Sequence, residues 1–195
     1  MKRLLVVLTL LAATLGLSGC GYNTIQSQDE QIKAAWSEVV NQYKRRSDLI
    51  PNLVAAVKGY AQQEQRVLIA VTEARAKVGS IQATPELIND PQAFAKFQQA
   101  QSEMSSALAR LLVVSENYPQ LKSDQNFLAL QSQLEGTENR ISVARKDYIA
   151  AVQVYNVQLR TIPGRWVAAF LYPDAKVKET FAATETAQEA PKVKF

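Results

Sequence analysis

The sequence lacks histidine altogether and contains one cysteine, Cys20, among its 195 residues. Histidine is the usual general base near neutral pH and the commonest metal ligand, so both roles fall away. A single cysteine allows neither an intrachain disulfide nor a thiolate metal cluster. Because Ser-His-Asp and Cys-His catalytic arrangements need histidine, the composition argues against most familiar hydrolytic chemistry.

Glycine-rich loops and long runs of one charge are missing as well. The 7 glycines are scattered, so the chain has no phosphate-binding loop, and the longest basic run covers residues 44–46. Lys2 and Arg3 belong to the 22 basic residues, which face 18 acidic residues for a net charge of +4. Without residues 1–19 the balance is 20 against 18, or +2, which does not favour nucleic-acid binding.

The N-terminus is typical of an export signal. A basic pair at residues 2 and 3 precedes an almost wholly apolar stretch at residues 4–17, and the small residues Ser18 and Gly19 then lead to Cys20. A spanning helix needs roughly 20 apolar residues, so this stretch is short for one. Its length suits the apolar region of a signal peptide.

Leu17-Ser18-Gly19-Cys20 resembles the lipobox of bacterial lipoproteins. The resemblance implies a signal peptide at residues 1–19, cleavage before Cys20 and lipidation of that cysteine. The alternative is an uncleaved anchor with an incidental cysteine, because residues 16–21 extend the stretch to about 18 residues that lipid tolerates. Either anchor places the protein in the cell envelope, facing outside the cytoplasm.

Beyond a short membrane-proximal linker at residues 20–28, apolar residues recur at helical spacing. Residues 29–43 carry apolar side chains 4, 3 and 4 positions apart, which defines one helix face. Asp48 is a candidate N-cap, and Pro51 suits a first helical turn. These two residues predict a break or sharp kink near residues 46–50, followed by a second helix that ends near Gly79.

Two more helices follow a connection at residues 80–90. Asp90-Pro91 predicts the start of the third helix, and Asn117-Tyr118-Pro119 its end. Ser123 or Asp124 caps a fourth helix, which Pro163-Gly164 stops.

Such long amphipathic helices bury their apolar faces by packing together. The predicted fold is all-α, an elongated antiparallel helical bundle of about four long helices over residues 29–163. Its first two helices are either separate or one kinked rod. An irregular and partly flexible C-terminal tail is expected at residues 164–195.

Carboxylates are the remaining candidates for catalysis or metal binding. Glu135 and Glu138 are neighbours on the predicted fourth helix, and Arg145 lies on the same stripe. A di-metal bundle site would use Glu-x-x-His pairs, so the lack of histidine disfavours one.

A structural interpretation competes with these chemical ones. Glu64, Glu138 and Arg145, with Arg75, would pair as a polar layer that sets helix register, because buried charges require partners. Simple surface exposure is the alternative.

Two aromatic residues of the tail, Trp166 and Phe170, fall outside the helical pattern. Three roles remain open for them: docking on the bundle, insertion into the membrane interface, or binding of a partner. Docking is the favoured expectation.

Several segments together resemble the LemA family of bacterial membrane-associated proteins. They are "YNTIQSQDEQIKAAWSEVVNQYKRRSDLIPNLVAAVKGYAQQE" at residues 22–64, "SENYPQLKSDQNF", "LEGTENRISVARKDY" and the aromatic tail. The resemblance covers about residues 22–172. It implies an antiparallel helical bundle anchored at its N-terminus, with no established enzymatic activity and no cofactor.

The expected function is that of a membrane-anchored scaffold or protein-binding module of the cell envelope. Its partners would be membrane lipid, an unidentified envelope protein and a second copy of the chain. The alternative is an enzyme or ligand-binding bundle that uses the Glu/Arg layer. In that case Glu64, Glu138 and Arg145 would line a wet cavity of ligand size.

Overall fold

In a computed structural model the described part of the chain is all-α, as the helical spacing of its apolar residues predicts. The structure describes the backbone of residues 2–181 and the side chains of residues 23–181. Helices make up the regular structure of this part of the chain, which confirms the predicted fold class. They are α1 (Lys2–Tyr60), α2 (Gln65–Gly79), a 3₁₀ helix (Pro85–Asn89), α3 (Pro91–Ser115), α4 (Pro119–Lys122), α5 (Gln125–Arg160) and α6 (Gly164–Leu171).

The N-terminal predictions fall largely beyond what the structure describes. The side chains of the proposed signal peptide, residues 1–19, and of Cys20 lie outside the described residues. Residues 23–28, which belong to the predicted linker, are helical and form part of α1.

The predicted break near residues 46–50 is wrong. Helix α1 continues through Pro51 and ends at Tyr60. A proline inside a helix removes one backbone hydrogen bond, but Ile50 and Leu53 on either side of Pro51 are both buried. This burial outweighs the lost bond, and the chain turns instead at residues 61–64.

Helices α1 and α5 pack antiparallel along most of their length. Three contacts define their register: Tyr60 with Asp124, Arg46 with Glu138, and Trp36 with Tyr148. Each step back along α1 matches an equal step forward along α5. In the same register Thr24 lies level with Arg160, so the end of α5 returns to the beginning of the described side chains.

Local capping signals are correct where the sequence is most explicit. The Asp90 carboxylate accepts hydrogen bonds from the backbone N–H groups of Gln92 and Ala93, at 2.8 and 3.1 Å. The Asp124 carboxylate accepts one from the N–H of Phe127 at 2.9 Å. Both aspartates satisfy amides that would otherwise lack partners at a helix start, which settles the choice between Ser123 and Asp124.

The core has two hydrophobic clusters. One surrounds Trp36, whose ring lies 5.3 Å from Phe97 and 5.4 Å from Tyr148 between centroids. The indole N–H of Trp36 donates to the backbone carbonyls of Ala83 and Thr84, both at 3.2 Å. The second cluster joins the later part of α1 to α2, α3, α4 and α5. Its largest fully buried members are Ile50, Leu53, Met104, Leu111, Leu121 and Phe127.

The tail differs from the irregular segment that was expected. Residues 164–171 form α6. Residues 172–181, here called the C-terminal segment, begin with a turn at residues 172–175 and continue along the bundle without regular secondary structure. The Glu179 N–H donates to the Ile88 carbonyl at 3.1 Å, and the Tyr148 hydroxyl donates to the Glu179 carbonyl at 2.6 Å. Asn156 both donates to and accepts from the Lys178 backbone, at 3.0 and 2.9 Å.

Charges reinforce this docking. Lys178 Nζ lies 2.9 Å from the Asp29 carboxylate, which also pairs with Lys33 at 2.9 Å. Burial alone would raise the pKa of Asp29, but the hydrogen bonds and charges of Lys178 and Lys33 outweigh it and hold the pKa below its ordinary value. Burial raises the pKa of Tyr148, so its hydroxyl keeps the proton that it donates to the C-terminal segment.

The C-terminal segment ends in the aromatic cluster. The Phe181 ring is buried, with centroids 5.1 Å from Phe94, 5.6 Å from Tyr148 and 6.3 Å from Trp36. An extended chain has no helical periodicity, so a single apolar residue of this kind cannot be recognised from spacing.

Phe181→Ala should lower the free energy of unfolding by about 3 kcal/mol, because it removes a buried ring and leaves a cavity. The same substitution at exposed Phe170 is the matched control and should change stability by less than about 0.5 kcal/mol. Urea denaturation of the full chain in detergent measures both. Equal losses for the two variants would contradict the packing role of Phe181.

Candidate functional site

The most buried charge among the described side chains is Arg46, which is 2% exposed. Its Nη1 donates to Glu138 Oε1 at 2.9 Å and to Ser105 Oγ at 2.8 Å. Its Nη2 donates to Gln101 Oε1 at 2.6 Å and to the Gln101 carbonyl at 3.3 Å. Arg46 therefore ties α1 to α3 and α5 at one level of the bundle.

Aromatic rings cover the guanidinium groups of this level. The Arg46 guanidinium carbon lies 5.1 Å from the Tyr43 ring centroid, and that of Arg145 lies 4.4 Å from the Phe181 ring centroid. Both are within cation–π distance. Burial raises the pKa of Tyr43, although the nearby charges of Arg145 and Arg46 partly oppose this, so Tyr43 remains a neutral phenol.

A cavity of about 280 Å³ opens beside these groups. Helix α1 contributes Tyr43 and Arg46, and α5 contributes Glu138 and Arg145. Helix α3 adds amide and hydroxyl groups, and the C-terminal segment closes one side with Phe181. The Glu138 side chain is 42% exposed, so one end of the buried ion pair faces solvent. The remaining lining residues are Gln98, Gln101, Ser102, Ser105 and Ile141.

The four residues of the predicted polar layer do not form one group. Glu138 and Arg145 line the same cavity. Glu64 lies at the turn after α1 and accepts a hydrogen bond from the Tyr118 hydroxyl at 3.1 Å. Arg75 on α2 donates from Nε to the Ser47 carbonyl at 3.1 Å. Two of the four residues therefore line one cavity, and the charge that pairs with Glu138 there is Arg46, which the predicted layer did not include.

Sequence reasoning missed Arg46 as that centre, although a signal for it exists. Arg46 follows Tyr43 by three residues and precedes Ile50 by four, so it lies on the apolar face of α1. A charge in the middle of an apolar stripe requires a buried partner. The predicted break at residues 46–50 hid this continuity.

The expectation that Trp166 and Phe170 dock on the bundle is wrong. The two side chains are 59% and 86% exposed. They lie four residues apart on α6, whose opposite side buries Ala168. Phe181, farther along the chain, fills the aromatic pocket instead.

The described residues were also compared with the requirements of a metal site and of a membrane span. Among the described side chains, no three carboxylate or cysteine groups converge as a metal site. Within the described residues, no helix is both long enough and apolar enough to cross a membrane.

The sequence model of the LemA family matches residues 35–195. This chain belongs to the LemA family. The match spans most of the bundle and the C-terminal segment, so Arg46, Glu138 and Arg145 all lie in the family's region. The resemblance noted from the sequence is thereby confirmed.

Three curated relatives are magnetosome proteins. Magnetosome protein MamQ 2 and Magnetosome protein MamQ 1 of Paramagnetospirillum magneticum are each 27% identical to this LemA-family chain over 163 residues. Magnetosome protein MamQ of Magnetospirillum gryphiswaldense is 25% identical over the same length. Each alignment covers 75% of this chain and 60% of the relative, so the chain spans less than two thirds of the relatives' length.

Glu138→Ala should lower the free energy of unfolding by about 1–2 kcal/mol, because buried Arg46 loses a charged acceptor. Glu135→Ala, three residues earlier and exposed, is the matched control and should cost less than about 0.5 kcal/mol. Denaturant titration of the two variants gives the comparison.

The coupling is tested in an Arg46→Met background. There the cost of Glu138→Ala should shrink, because the charge that needed the carboxylate is gone. An undiminished cost would show that Glu138 acts independently of Arg46.

Proposed function

We propose that this LemA-family protein is a membrane-anchored helical bundle that acts as a scaffold or protein-binding module of the cell envelope and carries out no catalysis. The observation that carries the proposal is the docking of the C-terminal segment. The bundle presents a groove that holds an extended chain through backbone hydrogen bonds and one buried aromatic ring. Recognition of an extended peptide by backbone bonds and side-chain pockets is a common binding mode.

The charged cluster also supports a structural role. The guanidinium of Arg46 is engaged by Glu138, Ser105 and Gln101, all from the bundle itself. An ion pair with a buried guanidinium favours one helix register over others.

The proposed anchor is supported by the N-terminal sequence. The apolar stretch at residues 4–17 and the lipobox-like residues ending in Cys20 support export and attachment to a membrane. The relatives' names assign them to the magnetosome. We therefore place this protein at a membrane surface, outside the cytoplasm.

Site-specific photo-cross-linking in intact cells tests the scaffold. A photoreactive residue replaces Val113 on α3, Val143 on α5 or Ile69 on α2, three exposed apolar positions on different helices. A scaffold with one defined interface should give a discrete adduct from one of these positions. The buried neighbour Ile141 serves as the control and should give none with another protein.

The adduct is identified by mass spectrometry. Recovery of the same envelope protein in repeated experiments, or of a second copy of this chain, supports the proposal. The absence of adducts at all three positions would contradict it.

A ligand-binding or enzymatic role is the second candidate, and the solvent-open cavity at Glu138 and Arg145 favours it. Glu138→Gln keeps the shape of the side chain and removes its charge. If the cavity binds a ligand, this variant should lose binding of cell-extract metabolites by the full chain at least tenfold, measured by ligand capture and mass spectrometry. Unchanged capture together with reduced stability would eliminate this candidate.

A further inference from the structure

Exposed apolar side chains are concentrated at one end of the bundle. Of the twelve large hydrophobic residues that are exposed among the described side chains, seven lie within residues 154–177. Scattered exposed hydrophobic residues are ordinary, but a contiguous group at one place indicates contact with something apolar. The three most exposed members of the group belong to α6 and its approach: Ile162, Trp166 and Phe170.

This end is the one that adjoins the N-terminal apolar stretch. The α1–α5 register places Arg160 level with Thr24. Ala168 of α6 and Ile25 of α1 are buried in the same hydrophobic cluster, and α6 packs against both α1 and α5. Thr24 follows Cys20 by four residues, which is about 6 Å along a helix. The exposed face of α6 therefore lies beside the point at which the chain would enter a membrane.

The position of α6 is set by close packing. A Cβ atom on Gly164 would lie 2.1 Å from the Gln158 carbonyl oxygen, so only glycine permits this approach of α6 to α5. With Gly164 and Ala168 turned inward, Trp166 and Phe170 are directed outward. Their exposure is thus a property of the packed bundle.

The chemistry of this face suits a lipid interface. Tryptophan is enriched at the boundary between lipid and water, where its ring is apolar and its N–H remains hydrated. Arg160, Arg165 and Lys176 accompany the apolar residues, against Asp174 as the acidic residue of the same stretch. Within α6 itself the charged residue is Arg165, and the other two basic residues flank the helix. An apolar helix face bordered by basic residues suits the interface of an anionic membrane.

We infer that α6 is a second membrane contact, which lies in the lipid interface with Trp166 and Phe170 inserted among the acyl chains. This inference rests on the proposed N-terminal anchor, since that anchor brings α6 to the surface. One attachment at the N-terminus leaves a bundle free to tilt. A second contact beside it would orient the long axis of α1 and α5 relative to the membrane.

Tryptophan quenching in vesicles tests the inference. The full chain is reconstituted into anionic phosphatidylglycerol–phosphatidylcholine vesicles with and without brominated acyl chains, which quench tryptophans that touch them. The chain has two tryptophans, and Trp36 is buried in the bundle. The brominated vesicles should therefore remove roughly half of the emission, the share of one tryptophan at interfacial depth.

The variant Trp166→Phe is the control, because it leaves Trp36 as the reporter and keeps an aromatic ring on α6. Its emission should be unaffected by bromination. Vesicle flotation, recorded on the same samples, reports the anchor separately. A chain that floats with the vesicles but shows no quenching of Trp166 would overturn the α6 contact and leave the anchor standing, as when a protein partner covers this face. A chain that does not float would overturn both.

Discussion

The burial of Arg46 is the constraint on which the arrangement of the bundle depends. A charged guanidinium with almost no exposure requires hydrogen-bond acceptors from the protein. Helices α3 and α5 supply these acceptors at the level of Arg46. If α5 slid by one turn along α1, Glu138 would move away from Arg46 and the 2.9 Å hydrogen bond between them would be lost. The ion pair therefore favours the observed register, together with the packing of large side chains such as Trp36 against Tyr148.

The two hydrophobic clusters and the C-terminal segment are organised around this level. The first cluster gathers Trp36, Phe94, Tyr148 and Phe181, so the last described residue completes a core that begins in α1. Phe181 also covers the Arg145 guanidinium. The C-terminal segment thereby connects the aromatic core to the charged level, and the groove that receives it is the feature from which we propose a protein-binding role.

Local signals in the sequence were reliable where a single residue decides the outcome. Asp90 and Asp124 cap helices because each side chain satisfies amides only two or three residues away. Pro51 led to the wrong prediction of a helix break. Its cost is one lost backbone hydrogen bond, and the burial of Ile50 and Leu53 against other helices outweighs that cost. Contacts with other helices cannot be seen in the local sequence. The position of the turn at residues 61–64 depends on the packing of α2 on α3 and α1. The turn contains no glycine or proline, so the sequence gives no local signal for it.

Among the candidate site residues, too, those that share one helix could be related from the sequence, whereas those on different helices could not. Glu138 and Arg145 line the same cavity because seven residues on one helix are two turns on one face. Glu64 and Arg75 were assigned to the same layer wrongly, since their positions depend on the path of the chain after α1. Arg46 was overlooked because the apolar face of α1 was interrupted at residues 46–50.

By itself, the sequence determined the helical class, the family and the helix starts that Asp90 and Asp124 cap, because spacing and capping act over a few residues. The tertiary structure alone decided that α1 continues through Pro51, which groups accept hydrogen bonds from Arg46, and that Phe181 docks while Trp166 and Phe170 stay outside. These outcomes depend on which distant surfaces meet. Contacts between helices decide burial and the pairing of charges, and the spacing of residues along one helix does not specify its partners on another.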